Sequence, residues 1–183
     1  MTATAYPYYW GLEEFLRAWE AGAFDKRAEL IDGEVWSVPI GPWHGETTMR
    51  VARALPNGRF RITAASLPAG DSLPDPDCWV LRTGAEPIAQ LSQRMPRWDP
   101  TDVLLIVEVS DETLDHDLGR KAALYARCGY PRYWSVTRDG VYDHSDPGPT
   151  GYRRRSLHGP GEQITVPYVE DVSLTVDDLL APT

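Results

Sequence analysis

The sequence predicts an α/β (α+β) domain built around a mixed sheet, and three observations predict it. Val103-Leu104-Leu105-Ile106-Val107-Glu108-Val109 is aliphatic at all but one position, which is how a central strand covered on both faces reads. Helical spacing of apolar residues occurs before this segment and again just after it, so helices flank the sheet. Asp32-Gly33 and Asp139-Gly140 each sit beside short apolar runs, the pattern of tight hairpins. Helix, strands, helix, strands is an order that suits one layered domain over residues 1–183.

Residues 1–7 read as a loosely ordered N-terminal segment. Leu12, Phe15, Leu16 and Trp19 then recur at helical spacing, and Gly22 supplies the stop. Positions 28–36 hold two apolar runs around Asp32-Gly33, where both turn positions accept positive φ. A second helix is expected from near His44, with Thr48, Val51, Ala52 and Leu55 on one face and Pro56-Asn57-Gly58 as its end. Positions 59–66 alternate as a strand, and Cys78-Trp79-Val80-Leu81 is another, entered through Pro76. The stretch 82–102, punctuated by Pro87, Pro96 and Pro100, reads as one long loop. After the aliphatic strand a helix is expected over 117–128, stopped by Gly129, and then the strand Tyr133-Trp134-Ser135-Val136. Antiparallel hairpins follow, one turning at Asp139-Gly140, with a short acidic segment at Asp177 and Asp178. Trp36, Trp79 and Trp134 fall at strand positions and are expected in the core.

Composition narrows the function classes. Hydrophobic residues make up 42% of the chain, with seven Trp and nine Tyr, enough for a real core. Sixteen Pro and fifteen Gly are more than a helix bundle tolerates. A net charge of −9 argues against coating nucleic acid through bulk charge, which Lys and Arg must supply. It leaves room for a local field at a cleft. Cys78 and Cys128 are too few for a disulfide framework and lack zinc spacing. The first ten residues lack the basic start and apolar core of a secretory leader, and no apolar run reaches the length of a membrane span. The expectation is a soluble, cytoplasmic protein with no membrane partner.

Glu108 is the most informative residue, a carboxylate among side chains that belong in a dry interior. Burying it costs several kcal/mol of order unless a cation or hydrogen-bond donors satisfy it. The alternative is that the strand surfaces there and points Glu108 into water, and its position alone leaves both readings open. On the following helix, Leu118, Ala122 and Tyr125 form one stripe while Arg120 and Arg127 lie opposite. Lys121 falls at the edge of that stripe, aimed back toward the strand end, with Asp117 four residues earlier as an ion-pair partner. A snorkelling lysine in a surface ion pair is the competing reading. Asp77 stands at the mouth of a strand that Pro76 starts, although Asp-Pro sequences are also ordinary turn chemistry, which is the reading of Asp75. Two carboxylates on neighbouring strand ends make an all-oxygen site suited to a hard cation, Mg²⁺ or Mn²⁺. A lysine beside them can orient the attacking water or stabilise charge on a phosphoryl group. Neither a GxSxG nor a GxxxxGK[ST] motif competes with this arrangement.

Several separated motifs occur in one order: Glu29-Leu30-Ile31-Asp32-Gly33-Glu34, Pro42 and His44 before a helix, Pro76-Asp77, and Val107-Glu108-Val109-Ser110. Asp117-x-Gly-x-Lys121-x-x-x-Tyr125 and Gly129-x-Pro131-x-Tyr133-Trp134 follow. In these the chain resembles the Uma-type endonucleases of the PD-(D/E)xK restriction-endonuclease-like superfamily, over roughly residues 8 to 180. The resemblance implies a restriction-endonuclease-like core, a mixed central sheet flanked by helices, with additional antiparallel C-terminal strands. It implies metal-dependent cleavage of phosphodiester bonds in DNA, with Asp77, Glu108 and the backbone carbonyl of Val109 as ligands of Mg²⁺ or Mn²⁺. It also implies that Lys121 is the catalytic lysine, that Glu29 joins the acidic cluster, and that copies pair as a homodimer.

The chain departs from the plain superfamily pattern in two places. The lysine expected two residues after the Glu is Ser110 here, so Lys121 is a migrated lysine, as in the Uma-type pattern. Asp111 and Glu112 add negative charge where many members carry a Ser-Pro-Ser-Thr run. His44, Ser110 and Asp117 are read as neighbours of the site, His44 in a structural role. Arg153 and Arg155 share a strand face and offer a phosphate contact, against the reading of a solvated hairpin. A second function class keeps the fold and drops the catalysis, leaving a binding or assembly module with a vestigial cluster. The charge of −9 favours that class, and retention of the polar site residues counts against it.

Overall fold

The aliphatic run at 103–109 forms the strand around which the rest is arranged. The computed structural model describes residues 6–24, 27–37, 40–58, 60–111 and 114–182. In chain order the elements are α1 (Leu12–Glu20), β1 (Ala28–Ile31), β2 (Glu34–Ser37), α2 (Pro42–Ala54), β3 (Phe60–Thr63) and β4 (Cys78–Arg82). Then come β5 (Ala89–Ser92), β6 (Met95–Arg97), a 3₁₀ turn (Pro100–Asp102), β7 (Val103–Val109), a π-helical segment (His116–Lys121) and α3 (Ala122–Arg127). The chain closes with β8 (Arg132–Thr137), β9 (Gly140–Gly148), β10 (Gly151–His158), β11 (Gln163–Thr165), β12 (Ser173–Thr175) and α4 (Val176–Leu179).

Six strands form the central sheet in the order β10-β9-β8-β7-β4-β3. Only β7 and β8 run parallel, with Glu108 opposite Ser135, and the other pairs are antiparallel. A parallel neighbour requires a crossover, which the π-helical segment and α3 supply.

Alternation along the strands divides the core into two layers. Cys78, Val80, Leu105, Val107, Val109, Trp134 and Val136 face one side, where Trp43, Val51 and Leu55 of the α2 region and Val176 and Leu179 of α4 cover them. Trp79, Leu81, Ile106 and Tyr133 face the other, against Ala122, Leu124 and Tyr125 of α3. Glu108 lies between Val107 and Val109 and so falls on the α3 side. A third cluster packs Phe15 and Leu16 of α1 on Ala28, Leu30, Leu73 and Met95.

The hairpin at Asp32-Gly33 forms as read, with both residues at positive φ (51° and 82°) and Ile31 opposite Glu34. The second hairpin turns one residue earlier than expected, on Arg138-Asp139, because Gly140 already pairs with Thr137. α2 starts at Pro42, two residues before His44, since proline is well suited to the first helical turn. The stretch 82–102 is not one loop: β5 and β6 pair within it, and Pro96 is accommodated because this two-stranded ribbon leaves strand edges open. Trp79 and Trp134 are buried, but Trp36 is 37% exposed, lying on a two-stranded ribbon instead of in the sheet. The expected strand at 59–66 is β3, shorter at both ends, with position 59 outside the described residues. Of the N-terminal segment, residues 1–5 lie outside the described residues, and Tyr6 and Pro7 are exposed in no helix or strand. Glu112 also lies outside them. Among the described residues both cysteines are free and no helix is long and apolar enough to cross a membrane.

Candidate active site

Four separate elements converge below the end of β7. Lys121 Nζ lies 2.8 Å from Glu29 Oε1 and 3.0 Å from Glu108 Oε1. Tyr125 Oη donates to that same Glu108 oxygen at 2.7 Å. Glu29, Glu108 and Lys121 are each only 4% exposed, so the surfacing-strand and snorkelling-lysine readings both fail. The π-helical segment contributes directly. Ala122 N–H returns to the carbonyl of Asp117, and the widened turn keeps Asp117 and Lys121 inward while Gly119 faces solvent.

Asp77 closes the cluster from the neighbouring strand. Pro76 leads into β4, and Asp77 Oδ2 accepts the backbone N–H of Val109 at 2.7 Å, which ties the mouth of β4 to the end of β7. His44 Nε2 lies 3.1 Å from the same oxygen, an approach that places the ring proton on Nε2. His44 Nδ1 is left buried with no partner. Asp75 N–H donates to Glu29 Oε1 at 2.9 Å, while Glu29 Oε2 is buried with no partner.

Asp117 and Ser110 form a supporting layer. Ser110 Oγ donates to Asp117 Oδ2 at 2.8 Å and lies 2.8 Å from Ser135 Oγ, and Tyr133 Oη donates to the Asp117 carbonyl at 3.1 Å. Asp117 Oδ1 stands 3.7 Å from Lys121 Nζ. Glu108 and Ser110 share a face by strand alternation, so a lysine at position 110 would also start from this side. Here the ammonium arrives from the helix instead, and Ser110 braces Asp117.

Charge in this pocket follows from burial. Burial lifts the Glu108 carboxyl well above the ordinary carboxylate range, with Lys121 opposing and Asp117, Glu29 and Asp77 adding to the lift. Glu29 is raised for the same first reason, with Lys121 again opposing. Burial pulls Lys121 downward, but the charges of Glu108, Glu29 and Asp117 outweigh it, and the ammonium is held protonated. Lys121 is therefore a fixed positive donor.

Above the cluster lies a cleft of about 260 Å³, with Glu29, His44, Asp77, Glu108, Val109 and Lys121 among its lining residues. Among the described residues no three His, Cys, Asp or Glu side chains stand close enough for a protein-only metal cage. Mg²⁺ does not need one, since it keeps several waters and binds through one or two carboxylates plus substrate phosphate. The residues fit that mode. Lys121 and Tyr125 both bond Oε1 of Glu108, and Val109 N–H and His44 both engage Oδ2 of Asp77, so the second oxygen of each is left by these donors.

The structure thus brings Glu29, His44, Asp77, Glu108, Val109, Asp117 and Lys121 to one cleft, with Ser110 buried behind Asp117. Arg153 and Arg155 are not at the cleft. They lie on β10, at the sheet edge three strands from β7, on the order of 14 Å away at ordinary strand spacing. Arg153 pairs with Asp146 at 2.9 Å, and the Arg155 guanidinium lies over the Tyr142 ring. Two contributors escaped the sequence reading. Asp75 acts through its backbone N–H, which side-chain chemistry does not reveal. Tyr125 belongs to the expected apolar stripe, yet its spacing four residues after Lys121 sets both on one helical face.

A six-stranded mixed sheet flanked by helices, with Asp77, Glu108 and Lys121 lining one cleft, is the α+β fold observed. Residues 12–177 match the Uma2 family, described as putative restriction endonuclease, and the chain belongs to that family. The crystal structure of a putative nuclease from Anabaena variabilis is similar, with a TM-score of 0.69 at 15% sequence identity, covering 93% of this chain and 97% of that one. At that identity the likeness speaks for the fold. No curated protein matches the chain.

Proposed function

We propose that the protein is a Mg²⁺-dependent endonuclease that hydrolyses phosphodiester bonds in DNA. The observation that carries this reading is the buried Lys121 ammonium bridging Glu29 and Glu108 beneath a cleft shared with Asp77. Family membership supports the same class of activity. Asp77, Glu108 and the Val109 carbonyl are the groups that would hold the ion. When bound, the ion supplies a water of lowered pKa and neutralises charge on the phosphate.

The chain's own residues have separable tasks. Lys121 spends two of its three donors on Glu29 and Glu108, leaving one for the attacking water or a non-bridging phosphate oxygen. Being held protonated, it orients and stabilises without removing a proton. Glu29 Oε1 accepts from Lys121 Nζ and from the Asp75 N–H, which fixes the ammonium beneath the cleft. His44, on the cleft wall, fixes the Asp77 carboxylate.

Incubation of the purified protein with supercoiled and linear DNA in Mg²⁺ or Mn²⁺ tests the proposal. Cleavage that requires the cation and disappears in Lys121→Met supports it. Absence of cleavage of every nucleic-acid form, or equal residual activity in Lys121→Met, sinks it. The net charge of −9 favours the second reading, an inactive assembly module, which predicts that last pattern.

A further inference from the structure

A second, larger depression adjoins the cleft on the side of the edge strand β3. It measures about 890 Å³, within the usual range of ligand pockets, roughly 300–1,000 Å³. Trp19, Phe60, Arg61, Trp79, Arg94 and Trp98 give it aromatic walls and two cations. One wall is β3, the edge of the six-stranded sheet, and the other is the β5–β6 hairpin.

The two depressions share a partition. Ala64 lines the cleft, Ala65 and Ser66 line the groove, and Asp75 lines both. That partition is fixed: Trp79 Nε1 donates to the Ala65 carbonyl at 2.8 Å, and Ser66 Oγ donates to Asp75 Oδ1 at 2.9 Å. The aromatic walls therefore stand beside the cleft, across this partition.

Charge points to the occupant. Arg61 and Arg94 line the groove and have no ion pair among the described residues. The Arg61 guanidinium lies over the Trp98 ring, 5.1 Å from its centroid, a cation–π contact at the groove wall. Base stacking on aromatic and guanidinium planes depends little on sequence and adds to whatever backbone attraction the groove's cations provide. On a chain of net charge −9 it supplies affinity that bulk attraction to phosphate cannot.

We propose that this groove receives one unpaired base of the nucleic-acid strand whose phosphate lies in the cleft, stacking it on Trp98 and Arg61. The inference rests on the nuclease reading and narrows its substrate to strands with an unstacked nucleotide beside the cut. A paired base enters only by leaving its duplex stack, a cost that an unpaired base does not incur.

The test compares Mn²⁺-dependent cleavage of a single-stranded oligodeoxynucleotide, its blunt duplex, and single strands carrying one abasic position moved along the sequence. The wild type is expected to prefer the single strand. Trp98→Ala should lower kcat/KM on it by about tenfold or more, and Arg61→Ala should lower it in the same direction. An abasic position beside the scissile phosphate should cost the wild type a similar factor and cost Trp98→Ala nothing further. If Trp98→Ala does not fold, Arg61→Ala, a change at an exposed position, decides between the outcomes. Equal cleavage of both forms, unchanged in the variants, overturns the groove proposal and leaves the nuclease standing. Failure of the wild type to cleave anything overturns the nuclease reading and this inference with it.

Discussion

Lys121 Nζ sits 3.0 Å from Glu108 Oε1, joining a helical residue to a strand end within a buried polar cluster. Both side chains are buried, so neither charge is tolerable without the other. Removing the ammonium with Lys121→Met leaves Glu29 and Glu108 close together and uncompensated. Denaturant unfolding should show a loss of about 3–5 kcal/mol. Adding Glu108→Gln to that variant should recover part of the loss, because one uncompensated charge is gone. Additive losses in the double variant would mean that the pair is not coupled.

Tyr125 is the second donor to Glu108, at 2.7 Å. Tyr125→Phe keeps the packing and deletes one hydrogen bond to a charged group, a loss on the order of 2 kcal/mol. The same unfolding measurement checks it. An unchanged midpoint would show that the hydroxyl contributes nothing to holding Glu108.

His44 is predicted to act on the metal through Asp77. With the contact at 3.1 Å lost, His44→Phe should weaken Mn²⁺ binding about 10–100-fold while the fold survives, as measured by calorimetry and circular dichroism. Unaltered affinity would assign His44 to packing alone.

His144 gives a pH signature away from the site. Its ring is 3% exposed against Tyr133 of β8 and Tyr152 of β10, with Arg155 opposite it and Nε2 buried without a partner. Burial, with Arg155 adding, pushes it down to about 4 from 6.5. Between those values the unfolded chain binds the extra proton, so the contribution is complete above pH 6.5 and is lost as pH falls toward 4. The full difference is roughly 3 kcal/mol. His144→Phe should flatten the stability profile in that window relative to the wild type. Parallel profiles would contradict the assignment.

The legibility of this chain varied with the range of the interaction. Val103–Val109, the Asp32-Gly33 turn and the helical stripe around Tyr125 were readable because local sequence fixes them. The β5–β6 ribbon was not, since Pro96 inside a short polar run argues against a strand until a partner is known. Lys121 and Glu108 were individually ambiguous. Their burial together is a tertiary fact, decided by the crossover after β7. Glu29 entered only through family resemblance, because nothing near it in sequence reveals a partner 92 positions away. The aromatic groove assembles from β3, β4, α1 and the β5–β6 ribbon, and no local motif announces it.

Everything proposed for the cleft depends on Asp77 and Glu108, braced by Lys121, forming a divalent-cation site. Calorimetric titration with Mn²⁺ tests that assignment most directly. The expected result is micromolar binding by the wild type that disappears in Asp77→Ala while the variant keeps its native circular dichroism. A wild type that binds no Mn²⁺, or an Asp77→Ala variant that binds it equally well, would contradict the assignment.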